Sequence, residues 1–231
     1  MFTRIELVFS EIFDRHGFVK SELSKITPGS LLDVGAGERP YREHILSLGF
    51  SYTSHDFEKY EGSGNFPGLQ NAGWENKNHD IVSDILDIPL KKYNVIILTE
   101  VLEHVPDPIA ALNKCSELLE KNGVLLVTVP FASRMHQAPF WFSAGLSPFW
   151  FEHHGPRVGL EIQKSQLLGN FYDMFMVEGQ QFFGCFGIRK FNLGKIFYAS
   201  AGMLRRFLEP RIPNPLLESG ALGVFVVLSK N

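Results

Sequence analysis

Short apolar runs recur along the first 130 positions, and segments whose apolar residues repeat at helical spacing lie between them. The runs are bounded by turn-forming residues and predict five strands, at residues 30–34, 50–55, 80–83, 95–99 and 124–129. Helices are predicted at residues 41–48 and 108–120, and the second begins with Pro108 and stops before Gly123. Strands that alternate with helices form a parallel sheet covered on both faces, so the pattern predicts an α/β fold.

Three segments depart from this alternation. Residues 1–28 predict a helix that ends near Gly17 and serves as a lid or packing helix. Its apolar face comprises Ile5, Phe9, Ile12 and Phe13. Residues 57–78 are rich in Gly and Asn, so a helix there is expected to be short, irregular or mobile. Beyond Pro130 the chain is rich in aromatic residues, and further strands are predicted at residues 160–167 and 221–229, with a helical stretch to about Leu208 between them.

Composition narrows the classes of partner. The chain has 231 residues, of which 45% are hydrophobic and 20% charged, as expected for one ordinary globular domain. A formal net charge of -3 argues against nucleic acid as a partner. Cys115 and Cys185 are the two cysteines, which is typical of reduced thiols and of a cytoplasmic location. The longest apolar stretches are about eight residues, against the roughly 20 of a membrane span. Arg205 and Arg206, on an apolar helical stretch, leave peripheral membrane contact open.

An acid and two glycines follow the first predicted strand, in the sequence Leu31-Leu32-Asp33-Val34-Gly35-Ala36-Gly37. Ligands of a doubly wound sheet bind at this edge, and glycine lets the backbone approach them where a Cβ would not. Asp56 ends the second strand, where such folds place a carboxylate on a ribose hydroxyl pair. A dinucleotide site needs a third glycine, and Pro40 stands at that position. The motif therefore argues against pyrophosphate binding.

Two further segments complete the pattern. Residues 83–89 have the sequence Ser-Asp-Ile-Leu-Asp-Ile-Pro, and residues 99–105 have the sequence Thr-Glu-Val-Leu-Glu-His-Val. Together with the glycine turn and Asp56, in this order and spacing, they resemble the class I S-adenosylmethionine-dependent methyltransferases. The likeness is greatest to small bacterial members found beside glycan-biosynthesis enzymes. Asn94 departs mildly from the pattern, since the family usually has Asp there.

The resemblance implies a Rossmann-like, doubly wound, mostly parallel sheet of seven strands, with an antiparallel last strand and helices on both faces. It implies one methyltransferase domain over residues 1–231, made of a helical lid (1–28), a cofactor-binding core (29–130) and an acceptor-side segment (131–231). It also implies S-adenosylmethionine as the cofactor. In that family the glycines lie against the methionine part, an acid at the position of Asp56 holds the ribose, and Asp84 with Ile85 binds adenine. The full set of implied cofactor-binding residues is Asp33, Gly35, Ala36, Gly37, Asp56, Asp84, Ile85, Thr99 and Glu100.

The residues that are candidates for acting on the acceptor follow the fourth and fifth predicted strands. A hydroxyl acceptor needs a base near neutral pH, and His104 and His136 are the candidate catalytic residues. Glu100, Glu103 and His104 are equally consistent with simple capping of the next helix. Their spacing also resembles metal-dependent methyltransferases of quinone precursors and RNA ends, although we assign no metal. Six aromatic residues are candidates for the acceptor wall, although each is more often packing: Phe140, Trp141, Phe142, Phe149, Trp150 and Phe151.

The predicted reaction is methyl transfer from S-adenosylmethionine to a small-molecule or glycan-type acceptor, most plausibly at a hydroxyl. Three other classes stay open at this stage. They are a noncatalytic cofactor-binding protein, a nicotinamide oxidoreductase, which Pro40 disfavours, and an RNA methyltransferase, which the charge balance disfavours. The sequence does not predict the acceptor or the oligomeric state, because a fold hosts many chemistries.

Overall fold

The computed structural model describes residues 15–62, 66–70, 73–184 and 218–231, together with the isolated residues 193, 196, 200, 211 and 213. The described chain divides into two compact units. One unit comprises residues 15–166 with 224–231, and the other comprises the described part of residues 167–223. The single domain predicted over residues 1–231, with divisions at 28 and 130, stays a prediction.

Seven strands form one sheet. In chain order they are β1 (Ser30–Val34), β2 (Ser51–Asp56), β3 (Ile81–Val82), β4 (Tyr93–Thr99), β5 (Leu119–Pro130), β6 (Leu160–Leu168) and β7 (Gly223–Lys230). The spatial order is β3-β2-β1-β4-β5-β7-β6, and the first five strands pair in parallel. The final strand runs antiparallel. The predicted α/β fold, with seven strands and a reversed last strand, is confirmed.

The order of the strands reverses at β1, whose neighbours are β2 on one side and β4 on the other. In a doubly wound sheet the loops diverge at such a point and leave a crevice outside the carboxyl ends of the strands. The last four residues of β1, from Leu31 to Val34, are buried. Burial of these residues fixes the point at which the glycine turn begins.

Helices cover the sheet between its strands. The helices of this unit are α1 (Arg15–Leu23), α2 (Arg42–Ser47), α3 (Pro108–Leu118) and α4 (Pro148–His154). Asp107 caps α3, because its carboxylate accepts hydrogen bonds from the N–H groups of Ile109 and Ala110. Helix α4 falls in the aromatic segment, where no helix was predicted. The sequence does contain a start signal for this helix, because Pro148 follows Ser147 and Pro favours the first helical position.

Two predicted boundaries are wrong. The N-terminal helix does not end near Gly17, because α1 continues to Leu23, and Val19 and Leu23 are fully buried in the core. Strand β5 begins at Leu119 rather than residue 124, because Leu119 pairs with Tyr93 of β4 before a register shift. Core burial and strand pairing are tertiary effects that override local propensity. The apolar face predicted at Ile5, Phe9, Ile12 and Phe13 lies outside the described residues.

The core lies between α1, α2 and the central strands. Its buried cluster is Val19, Leu23, Leu31, Tyr41, Ile45, Phe50, Val95, Ile97 and Leu126. Asn94, the departure from the family pattern, has a structural use. Its side-chain oxygen accepts hydrogen bonds from the N–H and the hydroxyl of Ser30, at 2.9 and 3.0 Å, and so ties β4 to the start of β1.

The second unit contains α5 (Phe171–Gly184). Asn170 accepts hydrogen bonds from Tyr172 N–H and Asp173 N–H, while Asp173 accepts one from Asn170 N–H, which caps the helix reciprocally. Within the residues that the structure describes, no helix is long and apolar enough to cross a membrane. Cys115 is a free, buried thiol. Cys185, Arg205, Arg206 and most of the predicted helical stretch to Leu208 lie outside the described residues.

Candidate functional site

A cavity of about 610 Å³ opens at the carboxyl edge of the sheet, beside β1, β2 and β4. Ten of the predicted site residues line it: Gly35, Ala36, Gly37, Asp56, Asp84, Ile85, Thr99, Glu100, His104 and His136. Asp33 is the exception and lies behind the turn. The motifs that were separated in the sequence therefore meet around one space.

The glycine turn needs glycine for both conformation and space. Gly35 and Gly37 have φ values of 66° and 51°, in the left-handed region that side chains disfavour. A Cβ on Gly37 would lie 2.7 Å from the ring of Trp74, and one on Gly35 would meet Val101. Between them, Ala36 N–H donates to the carbonyl of His55, at 2.8 Å. The turn therefore forms a cradle in which backbone, not side chains, faces the cavity.

Asp56 closes the turn from the neighbouring strand. Its carboxylate accepts hydrogen bonds from Gly37 N–H, at 3.1 Å, and from Glu58 N–H, at 2.8 Å. The residue is 6% exposed and lines the cavity. Because an ionised carboxylate has about four lone-pair sites, it retains the capacity to accept ligand hydroxyl groups.

Asp33 supports the turn from within. It is buried, and the hydroxyl of Tyr52 donates to its Oδ2 at 2.8 Å. Burial raises the pKa of Asp33 to about 7, the Tyr52 hydrogen bond opposes that rise, and the charge of Asp56 adds to it. A direct role for Asp33 in cofactor binding stays a prediction, because its side chain does not line the cavity.

The segment after β3 forms the opposite wall. Asp84 caps a short 3₁₀ turn (Ile85–Asp87), since its carboxylate accepts a hydrogen bond from Leu86 N–H at 3.0 Å. Both Asp84 and Ile85 line the cavity, and Ile85 is buried. An exposed acid beside a buried aliphatic side chain suits a flat ring with a polar edge.

The end of β4 contributes Thr99 and Glu100. Glu100 has a φ of 54° and is held by two partners. Arg15 of α1 pairs with its Oε2 at 3.1 Å, and the hydroxyl of Thr128 donates to its Oε1 at 2.9 Å. Arg15, which was not among the predicted site residues, also lines the cavity. The position of Arg15 in the helical pattern did not indicate a site residue, because its partner, Glu100, lies 85 positions further along the sequence.

His104 and His136 lie together on the acceptor side. Their ring centroids are 4.8 Å apart, edge to face. Nδ1 of His104 is hydrogen-bonded to the carbonyl of Phe140, which can only accept, so Nδ1 carries the proton and Nε2 keeps its lone pair. Burial lowers the pKa of His104 to about 4. His104 is therefore a neutral imidazole at physiological pH.

His136 is held by a strand-like bridge. Leu69 N–H donates to the carbonyl of Met135 at 3.0 Å, and Gln137 N–H donates to the carbonyl of Leu69 at 2.8 Å. Nδ1 of His136 is 2.9 Å from the carbonyl of Arg134. The loop after β5 is thus joined to residues 66–70, within the segment predicted to be irregular. The described parts of residues 57–78 contain no helix, which confirms the expected irregularity.

Glu103 is fully buried, and neither carboxylate oxygen has a hydrogen-bond partner among the described residues. Burial, with the nearby charge of Glu100, raises the pKa of Glu103 well above its ordinary value. Its Oε1 is 3.7 Å from Nε2 of His104. One ligand atom each from Glu103, His104 and His136 lie within 4.8 Å of one another, so the three residues could hold a metal ion. Glu100 is not in this cluster.

Aromatic side chains line the acceptor side. Phe140 and Phe142 face the cavity, and Phe57 joins them with its ring 4.9 Å from that of Phe140, edge to face. The other predicted wall residues do not line it: Phe151 is fully buried, and Phe149 is 73% exposed. Phe57 was missed because it follows a different strand from the other aromatic residues.

Comparisons with known proteins identify the family. The profile of the family described as "Methyltransferase domain" matches residues 9–163, about two thirds of the chain. The chain therefore belongs to the methyltransferase domain family. This confirms the prediction of a class I methyltransferase with S-adenosylmethionine as its cofactor.

Curated relatives match over part of their length. The Ubiquinone biosynthesis O-methyltransferase of Histophilus somni is 28% identical over an alignment of 120 residues, which covers 47% of this chain and 48% of that protein. The protein of the same name from Caulobacter vibrioides is 28% identical over 116 residues, or 50% of this chain and 45% of that protein. The chain thus spans about half the length of the curated relatives that it matches.

Solved structures share the fold over nearly the whole chain. A SAM dependent methyltransferase from Archaeoglobus fulgidus has a TM-score of 0.54 and 13% identity, and covers 99% of this chain and 100% of its own. A putative sarcosine dimethylglycine methyltransferase from Galdieria sulphuraria has a TM-score of 0.54 and 13% identity, with coverage of 94% and 85%. At these identities the likeness shows the fold alone.

Proposed function

We propose that this protein transfers a methyl group from S-adenosylmethionine to a hydroxyl of a small-molecule or glycan-type acceptor, in the cytoplasm. The observation that carries the proposal is the imidazole of His104, which shares one cavity with the glycine turn and keeps the lone pair of Nε2. A cofactor cradle and a neutral base on opposite sides of one space are what methyl transfer to a hydroxyl requires. The net charge of -3 supports a small molecule over nucleic acid.

The cradle fits the cofactor. The glycine turn presents backbone to the cavity, because a Cβ at Gly35 or Gly37 would meet Val101 or Trp74, and Asp56 has lone pairs for ribose hydroxyl groups. Asp84 and Ile85 would hold the adenine, as the resemblance implies, and Arg15 beside Glu100 offers charges of both signs for an amino acid end. The cofactor, when bound, supplies a methyl group already activated on a sulfonium. The protein mainly has to orient the acceptor, and such positioning is worth roughly 7–11 kcal/mol.

His104 would take the proton of the acceptor. As the oxygen–methyl bond forms and the sulfur–methyl bond breaks, the hydroxyl oxygen gains positive charge and its proton becomes strongly acidic. Nε2 of His104 accepts that proton, while Nδ1–H stays bonded to the carbonyl of Phe140. With a pKa of about 4, His104 is unprotonated at neutral pH but is a weaker base than an ordinary histidine, so it takes the proton only as the oxygen–methyl bond forms and the hydroxyl becomes acidic. Phe57, Phe140 and Phe142 would shield the acceptor from water.

The test is a transfer assay with radiolabelled S-adenosylmethionine. Purified protein is offered phenolic quinone precursors, free sugars, lipid-linked glycans and RNA, with binding of S-adenosylhomocysteine measured separately by calorimetry. We expect label in a hydroxyl-bearing acceptor and none in RNA. The curated relatives' name favours a phenolic acceptor, and the glycan arm tests the alternative. Binding without transfer to any acceptor would favour the noncatalytic cofactor-binding protein.

A second candidate is a metal-dependent O-methyltransferase. The specific observation is the unpartnered carboxylate of Glu103 beside His104 and His136. A metal on these ligands would occupy Nε2 of His104, so the base and metal roles exclude each other. Carboxylate with imidazole suits manganese or zinc better than magnesium. Full activity after treatment with a chelator would exclude this candidate, and loss of activity that one metal restores would exclude the free-base mechanism.

A further inference from the structure

Four residues around the glycine turn form a closed ring of hydrogen bonds. Gly37 N–H and Glu58 N–H both donate to the carboxylate of Asp56. The carboxylate of Glu58 in turn meets His79, which approaches it with its backbone N–H at 3.0 Å and with Nδ1 at 2.9 Å. Nε2 of His79 then returns to the carbonyl of Gly37, at 2.9 Å. The ring therefore starts and ends at the same residue of the cofactor cradle.

The partners of His79 hold its ring at both nitrogens. The carbonyl of Gly37 can only accept, so Nε2 of His79 donates to it. Nδ1 lies 2.9 Å from Oε1 of Glu58, and the hydrogen bonds with His79 hold the pKa of the Glu58 carboxyl below its ordinary value. The His79 side chain is fully buried where it makes these bonds.

The ring fixes Gly37 from both sides. Its N–H is held by Asp56 and its carbonyl by His79, at a φ of 51° that glycine adopts without strain. Glu58 also has a positive φ, of 53°, although it is not a glycine. Backbone strain of this kind persists only where the surroundings fix it, and it is concentrated at functional sites. Lys77 adds a further restraint, since its ammonium donates to the carbonyl of Glu58 at 2.7 Å.

We infer that His79, held by hydrogen bonds between Glu58 and Gly37, is a positioning residue that sets the affinity of the glycine turn and Asp56 for the cofactor. This inference rests on the proposed function for the identity of the ligand. His79 does not line the cavity and touches no reacting group, so it acts on the strength of cofactor binding and leaves the transfer step unchanged.

The first test separates affinity from turnover. In His79→Gln, a side-chain amide replaces the ring that meets both Gly37 and Glu58, and we expect the Kd for S-adenosylhomocysteine to rise roughly 10- to 100-fold, the effect of losing a hydrogen bond to a charged group. Turnover at saturating cofactor stays within about twofold of wild type, because the transfer step is untouched. His153→Gln is the matched control, since His153 is exposed and lies outside the cavity. Wild-type affinity in His79→Gln, or an equal loss of turnover at saturation, would overturn the inference.

The second test reads the proton on the wild-type enzyme and does not depend on a folded variant. Nitrogen-15 NMR of labelled histidine is expected to show a proton on Nε2 of His79, because the carbonyl of Gly37 can only accept. An Nε2 without a proton in the wild-type protein would refute the inference. A wild-type protein that binds no S-adenosylhomocysteine would refute the proposed function instead, while the state of the ring would still be measured.

Discussion

The two sides of the cavity differ in how their polar groups are satisfied. On the cofactor side, both backbone groups of Gly37 are bonded and Asp56 accepts two N–H groups, while Oδ1 of Asp33 and Nδ1 of His55 have no partner among the described residues. On the acceptor side, the carboxylate of Glu103 has no partner among the described residues, and Nε2 of His104 is 3.7 Å from it. A buried polar group without a partner costs about 1–3 kcal/mol.

The cofactor side of the cavity is thus largely preformed, whereas the acceptor side holds the reactive groups. The cofactor side is held by bonds that exist without a ligand, so binding there orders little of the protein and loses little entropy. The acceptor side keeps groups that await a partner, whether a substrate or a metal ion, and unsatisfied buried groups in a folded protein call for such an explanation. Substitutions on the two sides should therefore affect different measured quantities.

The largest expected effect is the loss of turnover that follows a substitution on the acceptor side. His104→Ala removes the proposed base, so kcat should fall roughly 10²- to 10⁴-fold, the usual contribution of general base catalysis. The Kd for S-adenosylhomocysteine should stay within about twofold, because the cofactor side is intact. Single-turnover kinetics and calorimetry on the same preparation measure both. Wild-type turnover in His104→Ala would leave acceptor positioning alone to explain the rate.

A somewhat smaller effect is expected on affinity, from the cofactor side. Asp56→Ala removes the acceptor of two backbone N–H groups and of the ribose hydroxyl groups. Hydrogen bonds to a charged group are worth about 1.5–3 kcal/mol, so the Kd should rise roughly 100-fold. Asp87→Ala, an exposed acid outside the cavity, is the control and should bind normally. If Asp56→Ala binds as tightly as wild type, the ribose is held elsewhere.

Asp33 should give the cofactor side a pH-dependent stability. Its pKa of about 7 lies above the ordinary 3.8, so its contribution to the free energy of unfolding is complete below about pH 4 and is lost as the pH rises through 7. Asp33→Asn keeps an oxygen for Tyr52 and cannot ionise. The stability of wild type minus that of the variant should therefore fall by at most about 4 kcal/mol over this window. Urea denaturation from pH 4 to 8 measures it, and a constant difference would contradict the raised pKa.

The smallest effect is expected at Asp84. Its carboxylate is exposed to water and already caps the 3₁₀ turn, so a hydrogen bond to adenine adds little. Asp84→Ala should raise the Kd for S-adenosylhomocysteine by roughly three- to tenfold, consistent with about 1 kcal/mol for one exposed bond. Competition between adenosine and inosine analogues, which differ at the exocyclic amine, tests the contact directly. Equal discrimination in wild type and variant would show that Asp84 does not contact that amine.

Much of the cofactor side could be predicted because its residues adjoin strand ends. Gly35 and Gly37 follow β1 directly, and Asp56 is the last residue of β2, so a local pattern places them at the same sheet edge. His79 and Glu58 were missed, because they lie in a segment without periodicity and meet only through the fold. Arg15 lies in a helix and was missed because it meets Glu100 only through the fold.

The acceptor side was predicted less well, because an aromatic composition does not show whether each side chain points into the cavity or into the core. Phe140 and Phe142 line the cavity, whereas Phe151 packs in the core. The same residue type serves both purposes, and tertiary packing decides which. His104 and His136 were predicted as neighbours of the site, but the low pKa of His104 depends on burial that no local pattern encodes.

The bridge between Leu69 and the loop of His136 has a thermodynamic consequence. It joins the stretch of chain between Asp56 and His79, which belongs to the cofactor side, to a histidine of the acceptor side. Coupling between two binding events is reciprocal, so any gain in acceptor affinity that the bound cofactor transmits through this bridge is returned as an equal gain in cofactor affinity. The protein would then hold each substrate most tightly when the other is present.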